Sequence, residues 1–175
     1  MNRVIRLGVL MLSFMAMNAA CAAQGGPDEP EAPGSKNVYF DSAKYEPRGG
    51  EDYFELGRVA ELMQHDESLH VLVVGHTDSV GSVESNRELA FKRASEIERI
   101  LNDAVPAARP RTKVAFHGEE RPTETNSTKE GRAKNRRVEL YFYYLNEGED
   151  EQAKLQSEFN GKLEFRANAS ASFGG

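Results

Sequence analysis

The chain has 175 residues, 39% of them hydrophobic and 29% charged, a balance typical of one globular domain with appended segments. Its formal net charge of −6 argues against a nucleic-acid-binding protein, because binding to phosphates requires a basic face. The one cysteine, Cys21, excludes an internal disulfide, and the lack of a cysteine cluster argues against a zinc site.

Residues 1–23 have the features of an export signal peptide. Basic residues precede a short apolar run from Leu7 to Met17, and small residues follow it. This run is shorter than the roughly 20 residues that cross a bilayer, so we expect it to be cleaved and the mature protein to lie in the periplasm. Two outcomes stay open at the cleavage site. Lipidation of Cys21 would attach the protein to the outer membrane, whereas cleavage after Ala22 or Ala23 would release a soluble protein.

The pattern of apolar residues predicts how the rest of the chain is organised. Residues 24–36 are rich in glycine, proline and acidic residues and form a predicted flexible linker. Residues 37–145 alternate strand and helix signals in the order β-α-β-α-β-(α)-β. The strands are predicted near residues 38–40, 69–74, 113–117 and 137–144. This order predicts an α+β sandwich, in which a mixed four-stranded sheet carries helices on one face.

Residues 146–175 are predicted to form a C-terminal tail that is partly helical or disordered. The segment from Glu147 to Phe159 can form a short helix, and small polar residues dominate the end of the chain. Because the tail has no periodic apolar face, we expect the domain to keep its fold when the tail is removed.

Two short motifs carry candidate binding residues. In Gly-His-Thr-Asp, at residues 75–78, the carboxylate follows a buried strand, and sheet proteins place ligand groups at such strand ends. In Asn-x-x-Leu-x-x-x-Arg-Ala, at residues 86–94, the asparagine and the arginine share one helix face. Asp78 can accept hydrogen bonds from an ammonium group, and Arg93 can bind a carboxylate with two parallel hydrogen bonds. Together they predict a site for the free end of an amino acid.

These motifs resemble those of the OmpA-like domain family, which includes the C-terminal domain of outer membrane protein A, the peptidoglycan-associated lipoprotein and the flagellar motor protein MotB. The resemblance extends from about Asn37 to Phe142. Besides the two motifs above, it includes Val-Tyr-Phe-Asp-Ser at residues 38–42, Gly-Glu-x-x-Pro at 118–122 and Asn-Arg-Arg-Val-Glu at 135–139. One departure is the pair Phe116-His117, which replaces the usual Gly-Tyr of the family.

The resemblance implies non-covalent binding of peptidoglycan through the diaminopimelate of its stem peptide, with no catalysis, cofactor or metal. It assigns the binding of diaminopimelate to Asp78 and Arg93. Supporting positions match Asp41, Thr77, Asn86 and Arg137. A protein with this function would tether the outer membrane to the cell wall. Alanine at either Asp78 or Arg93 is then expected to abolish binding while the fold persists.

Other interpretations follow from the same residues. A subunit of a stator or secretion machine would bind the wall in the same way, but a stator would keep its transmembrane helix. A wall-modifying enzyme is disfavoured, because no Ser-His-Asp or paired-carboxylate pattern supports hydrolysis. The histidines at 65, 70 and 76 match no established metal-ligand spacing with Asp78. Acidic residues dilute the basic run at residues 129–137, so no nucleic acid is expected to bind there.

Overall fold

The computed structural model describes residues 35–159 and 163–165. The predicted signal peptide, Cys21 and all but the last two residues of the predicted linker lie outside the described residues. Within the described part of the chain, no helix is both long and apolar enough to cross a membrane.

The described residues form one sheet and four α-helices. The strands are β1 (Ser35–Tyr39), β2 (His70–His76), β3 (Thr112–Gly118), β4 (Arg137–Tyr143) and β5 (Glu164–Phe165). The helices are α1 (Gly50–His65), α2 (Val83–Ala104), α3 (Lys129–Asn135) and α4 (Glu151–Glu158), and a 3₁₀ turn occupies Pro106–Arg111.

The sheet is mixed, as the sequence predicts, and has the strand order β1-β4-β2-β3-β5. Strands β2 and β3 run parallel, whereas β4 is antiparallel to both β1 and β2. The fifth strand, β5, was not predicted, and it pairs only two residues with β3. The carboxyl ends of β2 and β3 therefore lie side by side, and the loops that follow them open at the same edge.

One face of the sheet packs against α1 and α2. Helix α2 begins at Ser82, whose side chain accepts a hydrogen bond of 3.2 Å from the backbone N–H of Ser85, and it ends shortly before Pro106. Its buried residues Ala90, Ala94, Ile97 and Leu101 lie at helical spacing. Ala94, Ile97 and Leu101 join the apolar side chains of β2 and β4 in the main core, whereas Ala90 packs with Phe116 of β3.

Helix α2 approaches the sheet closely at Gly75. A Cβ atom at this position would lie 2.0 Å from the carbonyl oxygen of Ala90, so only glycine fits without a shift of the helix. This contact fixes how near the helix that carries Arg93 lies to the end of β2.

We predict that Gly75→Ala destabilises the protein by about 1–3 kcal/mol or more, because the methyl group must push backbone away from backbone. The matched control is Gly57→Ala in α1, where nothing lies within 4 Å of the added Cβ. There the change should be neutral or stabilising by up to about 1 kcal/mol, since alanine favours helix. Urea unfolding of both variants measures the difference, and equal midpoints would contradict the close approach.

The opposite face of the sheet is covered by the C-terminal residues. Leu155 of α4 is 1% exposed and Leu163 is 4% exposed, and both pack against Leu72, Val74 and Ala115. The short helix expected in the tail is present as α4, and helices lie on both faces of the sheet rather than one. That the domain keeps its fold without the tail stays a prediction, against which this buried contact argues. One buried leucine per short helix gives too weak a periodic pattern to be recognised in the sequence.

We predict that Leu155→Ala lowers the free energy of unfolding by about 2–4 kcal/mol, because it leaves a cavity between α4 and the sheet. The exposed Ser157 of the same helix provides the control, since Ser157→Ala removes no buried contact. Thermal unfolding followed by circular dichroism compares the two. A Leu155→Ala variant as stable as Ser157→Ala would show that α4 does not pack on the sheet in solution.

Candidate functional site

The predicted site residues converge at the edge where β2 ends. Asp78 follows β2 directly, and Arg93 reaches this edge from the middle of α2. The loop after β1 supplies Asp41, and Arg136 lies at the last position before β4. Three segments far apart in the sequence thus meet around one helix.

Arg93 is fully buried and binds three backbone carbonyls. Its Nε donates to Lys44 O (2.9 Å), Nη1 to His76 O (2.9 Å) and Nη2 to Asp41 O (3.1 Å). Its side chain is 0% exposed, and its guanidinium carbon lies 5.1 Å from the centre of the Phe40 ring. Arg93 therefore holds the loop after β1 against the end of β2.

The loop held by Arg93 has an unusual backbone. Ala43, between the two carbonyls of this loop that accept from Arg93, has φ of 58°, which alanine rarely adopts. The hydrogen bonds of the guanidinium on both sides of Ala43 offset the cost of this conformation.

Burial lowers the pKa of the Arg93 guanidinium to about 10, while the negative charge of Asp78 opposes this change. The side chain therefore stays charged at neutral pH. Each of the three guanidinium nitrogens already donates to a carbonyl oxygen, so Arg93 acts on the site through its charge and through the loop that it holds.

Asp78 is paired with Arg136 rather than with Arg93. Its Oδ2 accepts from Arg136 Nη1 at 2.9 Å, and its Oδ1 accepts from the backbone N–H of Val80 at 3.3 Å. Both side chains are largely buried, with 8% of Asp78 and 14% of Arg136 exposed. Arg136 also donates from Nε to Phe40 O at 3.1 Å. Arg136 belongs to the Asn-Arg-Arg-Val-Glu motif, in which the predicted site residue was its neighbour, Arg137.

Arg137 lies on the other face of the sheet and does not belong to this site, so its assignment is wrong. It binds Glu139 through Nε at 2.7 Å. Strand parity explains the placement, because Val138 and Leu140 point into the core under α1 and α2. Residue 137 must then point away from that core. The same alternation, visible in the sequence, was the signal that could have excluded it.

The other predicted residues have separate contacts. Thr77 is 2% exposed and is held by its backbone N–H, which donates to Gly118 O at 2.9 Å. Asn86 is also buried and donates from its amide to the Glu119 carboxylate, a residue that the sequence analysis did not single out. Both therefore order the loop that follows β3, next to Asp78.

The rim of the site is charged and exposed. The carboxylate of Asp41 lies 3.6 Å from Arg48 Nε and 3.9 Å from Lys44 Nζ, with more than half of the Asp41 side chain accessible. Val80 is 61% exposed and Tyr45 is 43% exposed beside these groups. The four cations and two carboxylates of the site leave a local positive excess, so an anionic or zwitterionic ligand fits it better than a cation.

The burial of Arg93 changes what its replacement should do. Arg93→Ala should lower the free energy of unfolding by at least about 3 kcal/mol, because three carbonyl oxygens lose a charged donor. The fold of this variant is still expected to persist, but with reduced stability. Arg99, on the same helix, is a control: it is 58% exposed and pairs only with Glu96 and Asp103, so Arg99→Ala should shift the urea midpoint little. Similar losses in both variants would contradict the structural role of Arg93.

Comparison with known proteins shows relatives for this part of the chain. Outer membrane porin F of Pseudomonas aeruginosa is 36% identical over 100 residues, which cover 57% of this chain and 28% of that protein. The peptidoglycan-binding protein ArfA of Mycobacterium bovis is 37% identical over 89 residues, which cover 51% of this chain and 27% of that protein. The chain thus spans less than a third of the length of either relative.

A solved structure shows the same fold. The peptidoglycan-associated lipoprotein from Burkholderia pseudomallei superposes with a TM-score of 0.58 at 27% identity, covering 61% of this chain and 89% of that one. The OmpA family matches residues 39–136, which include Asp41, Asp78, Arg93 and Arg136. Because this match covers more than half of the sequence, the chain belongs to the OmpA family.

Proposed function

We propose that this protein binds peptidoglycan without cleaving it and so tethers the cell envelope to the wall. The observation that carries the proposal is the Asp78–Arg136 ion pair, 2.9 Å long and largely buried, beside the charged Arg93. Membership of the OmpA family supports it, as do relatives named as a peptidoglycan-binding protein and a peptidoglycan-associated lipoprotein.

The ligand group that fits these charges is the distal end of diaminopimelate in the stem peptide. That end carries an ammonium and a carboxylate on one carbon. Asp78 accepts from the ammonium, and the carboxylate binds to Arg136, with the positive charge of the buried Arg93 behind the pair. Asp78 and Arg136 are already largely shielded from water. Binding therefore replaces one ion pair with two and leaves no buried charge without a partner.

The proposed function also implies a location in the cell envelope. We infer that it faces the periplasm and is attached to the outer membrane, through a lipid on Cys21. The mass of the mature N-terminal peptide tests the attachment, since an unmodified peptide that begins after Ala22 or Ala23 would exclude the lipid.

We predict that Asp78→Asn weakens binding to purified sacculi about thirtyfold to a thousandfold, because the amide keeps the shape but cannot pair with an ammonium group. The equivalent loss of about 2–4 kcal/mol includes the cost of leaving the ligand charge and Arg136 without their partner. Co-sedimentation with sacculi gives the affinity, and the unfolding midpoint shows whether the fold persists.

The controls separate a specific site from general charge attraction. Lys134→Gln removes a cation from α3 that is 62% exposed and should leave binding unchanged. Free diaminopimelate should compete with the sacculi, whereas Nα-acetyllysine, whose one free ammonium has no carboxylate on the same carbon, should compete poorly. The proposal fails if Asp78→Asn still binds like the parent, or if Nα-acetyllysine competes as well as diaminopimelate.

A further inference from the structure

A second cluster of charged and polar groups lies on the sheet face opposite the Asp78 site. It contains His76 at the end of β2, His117 at the end of β3, and Arg137 and Glu139 on β4. His76 is 2% exposed and His117 is 5% exposed, and their ring centres are 5.4 Å apart. The site described above uses none of these side chains.

The two histidines have unmet hydrogen-bonding capacity. Among the described residues, three buried ring nitrogens have no hydrogen-bond partner. They are both nitrogens of His76 and Nε2 of His117. The nearest acceptor, Glu139 Oε2, lies 3.6 Å from His76 Nε2, beyond hydrogen-bond length. A buried imidazole favours its neutral form, because the carboxylate close enough to balance a proton on His76, that of Glu139, is already paired with Arg137.

This cluster is closed by what we name the C-terminal cover, which consists of α4, Phe159, Leu163 and β5. Phe159 packs edge-on against Tyr141, with 4.9 Å between ring centres, and Tyr141 donates to Glu139. The carbonyl of Phe159 accepts from Arg121 at 3.3 Å. The cover is thus joined to the neighbours of the histidines, to Glu139 through Tyr141 and to Arg121 through the Phe159 carbonyl.

The charges that face the histidines do not favour protonation. Burial lowers the pKa of His76, helped by the cations Arg137 and Arg121 and opposed by Glu139. Burial lowers the pKa of His117 to about 4, and His76 adds to this effect. Burial alone would raise the pKa of Glu139, but His76, Tyr141 and Arg137 reverse this and lower it, so the carboxylate stays charged in mild acid.

We propose that His76 and His117 form a proton-sensitive latch for the C-terminal cover, which stays closed on the neutral rings and opens when they take up protons. The sign follows from linkage. An exposed histidine binds a proton near pH 6.5, whereas the closed form resists it, so acid favours the open form. Between pH 7 and pH 5 the opening constant should rise about 25-fold for one histidine and several hundredfold for two.

Other contacts of the cover respond differently to acid. Glu151 of α4 contacts His70 Nδ1 at 2.8 Å and Lys113 Nζ at 3.0 Å. Burial opposes the charge of Glu151, but hydrogen bonds from Lys113, Tyr143 and His70 outweigh it and lower its pKa. Glu164 of β5 pairs with Arg87. His70 contacts the cover away from the pair His76 and His117, so His70→Gln provides a matched control.

Hydrogen exchange of the full mature protein between pH 7 and pH 5 tests the latch. Rates are corrected for the intrinsic effect of pH, and peptides from β1 and α1 serve as internal references. In the parent protein, exchange at 151–159 and 163–165 should accelerate by the factors above in acid, while the references change much less. The double variant His76→Gln/His117→Gln should lose most of this response, and His70→Gln should keep it.

A second measurement decides the question if the double variant does not fold. The single variant His117→Gln should reduce the acid response to that of one histidine, and the imidazole signals of the parent in NMR should titrate together with opening of the cover. The proposal is overturned if exchange of the cover does not depend on pH, if His70→Gln abolishes the response, or if both imidazoles titrate near pH 6.5 while the cover stays closed.

Discussion

The structure depends on one buried guanidinium. Arg93 has no exposed surface and joins three carbonyls from two separate segments, the loop after β1 and the end of β2. A buried charge is tolerated only when its hydrogen bonds are satisfied, so these segments cannot move independently of α2. The close contact of Gly75 with Ala90 fixes the distance over which this bridge works. Arg93 and Gly75 therefore fix together the position of α2, the path of the loop after β1 and the geometry of the site.

The two faces of the sheet carry different features, the core beneath α1 and α2 on one and the histidine cluster with the C-terminal cover on the other. Residues of β4 alternate, so that Val138 faces the core beneath α1 and α2 while Arg137 faces the C-terminal cover. His76 connects the faces, because its carbonyl accepts from Arg93 while its ring lies among the buried groups under the cover. A change in the packing of that ring therefore acts on the same peptide unit that positions the arginine of the site.

The charges of the Asp78–Arg136 ion pair are arranged so that each can exchange its partner for a charged group of a ligand. Asp78 and Arg136 are held at 2.9 Å while each stays within reach of solvent, and Arg93 adds a second positive charge behind them. The Asp78 carboxylate is oriented before any ligand arrives, by Arg136 and by the backbone N–H of Val80. Opposite charges that are held in place at the end of β2 suit a small zwitterionic group. An extended charged ligand would contact mainly the exposed rim around Asp41, where solvent and salt weaken binding.

Local sequence determined the order of strands and helices and the motifs that bring Asp78 and Arg93 to one edge, because the spacing of apolar residues acts over a few positions. Tertiary structure alone decided that Asp78 pairs with Arg136, 58 residues away in the chain, since a motif names residues but not the direction of their side chains. It also decided that Leu155 covers the second face. Such contacts join segments that have no local signal for each other, and only the folded sheet brings them together.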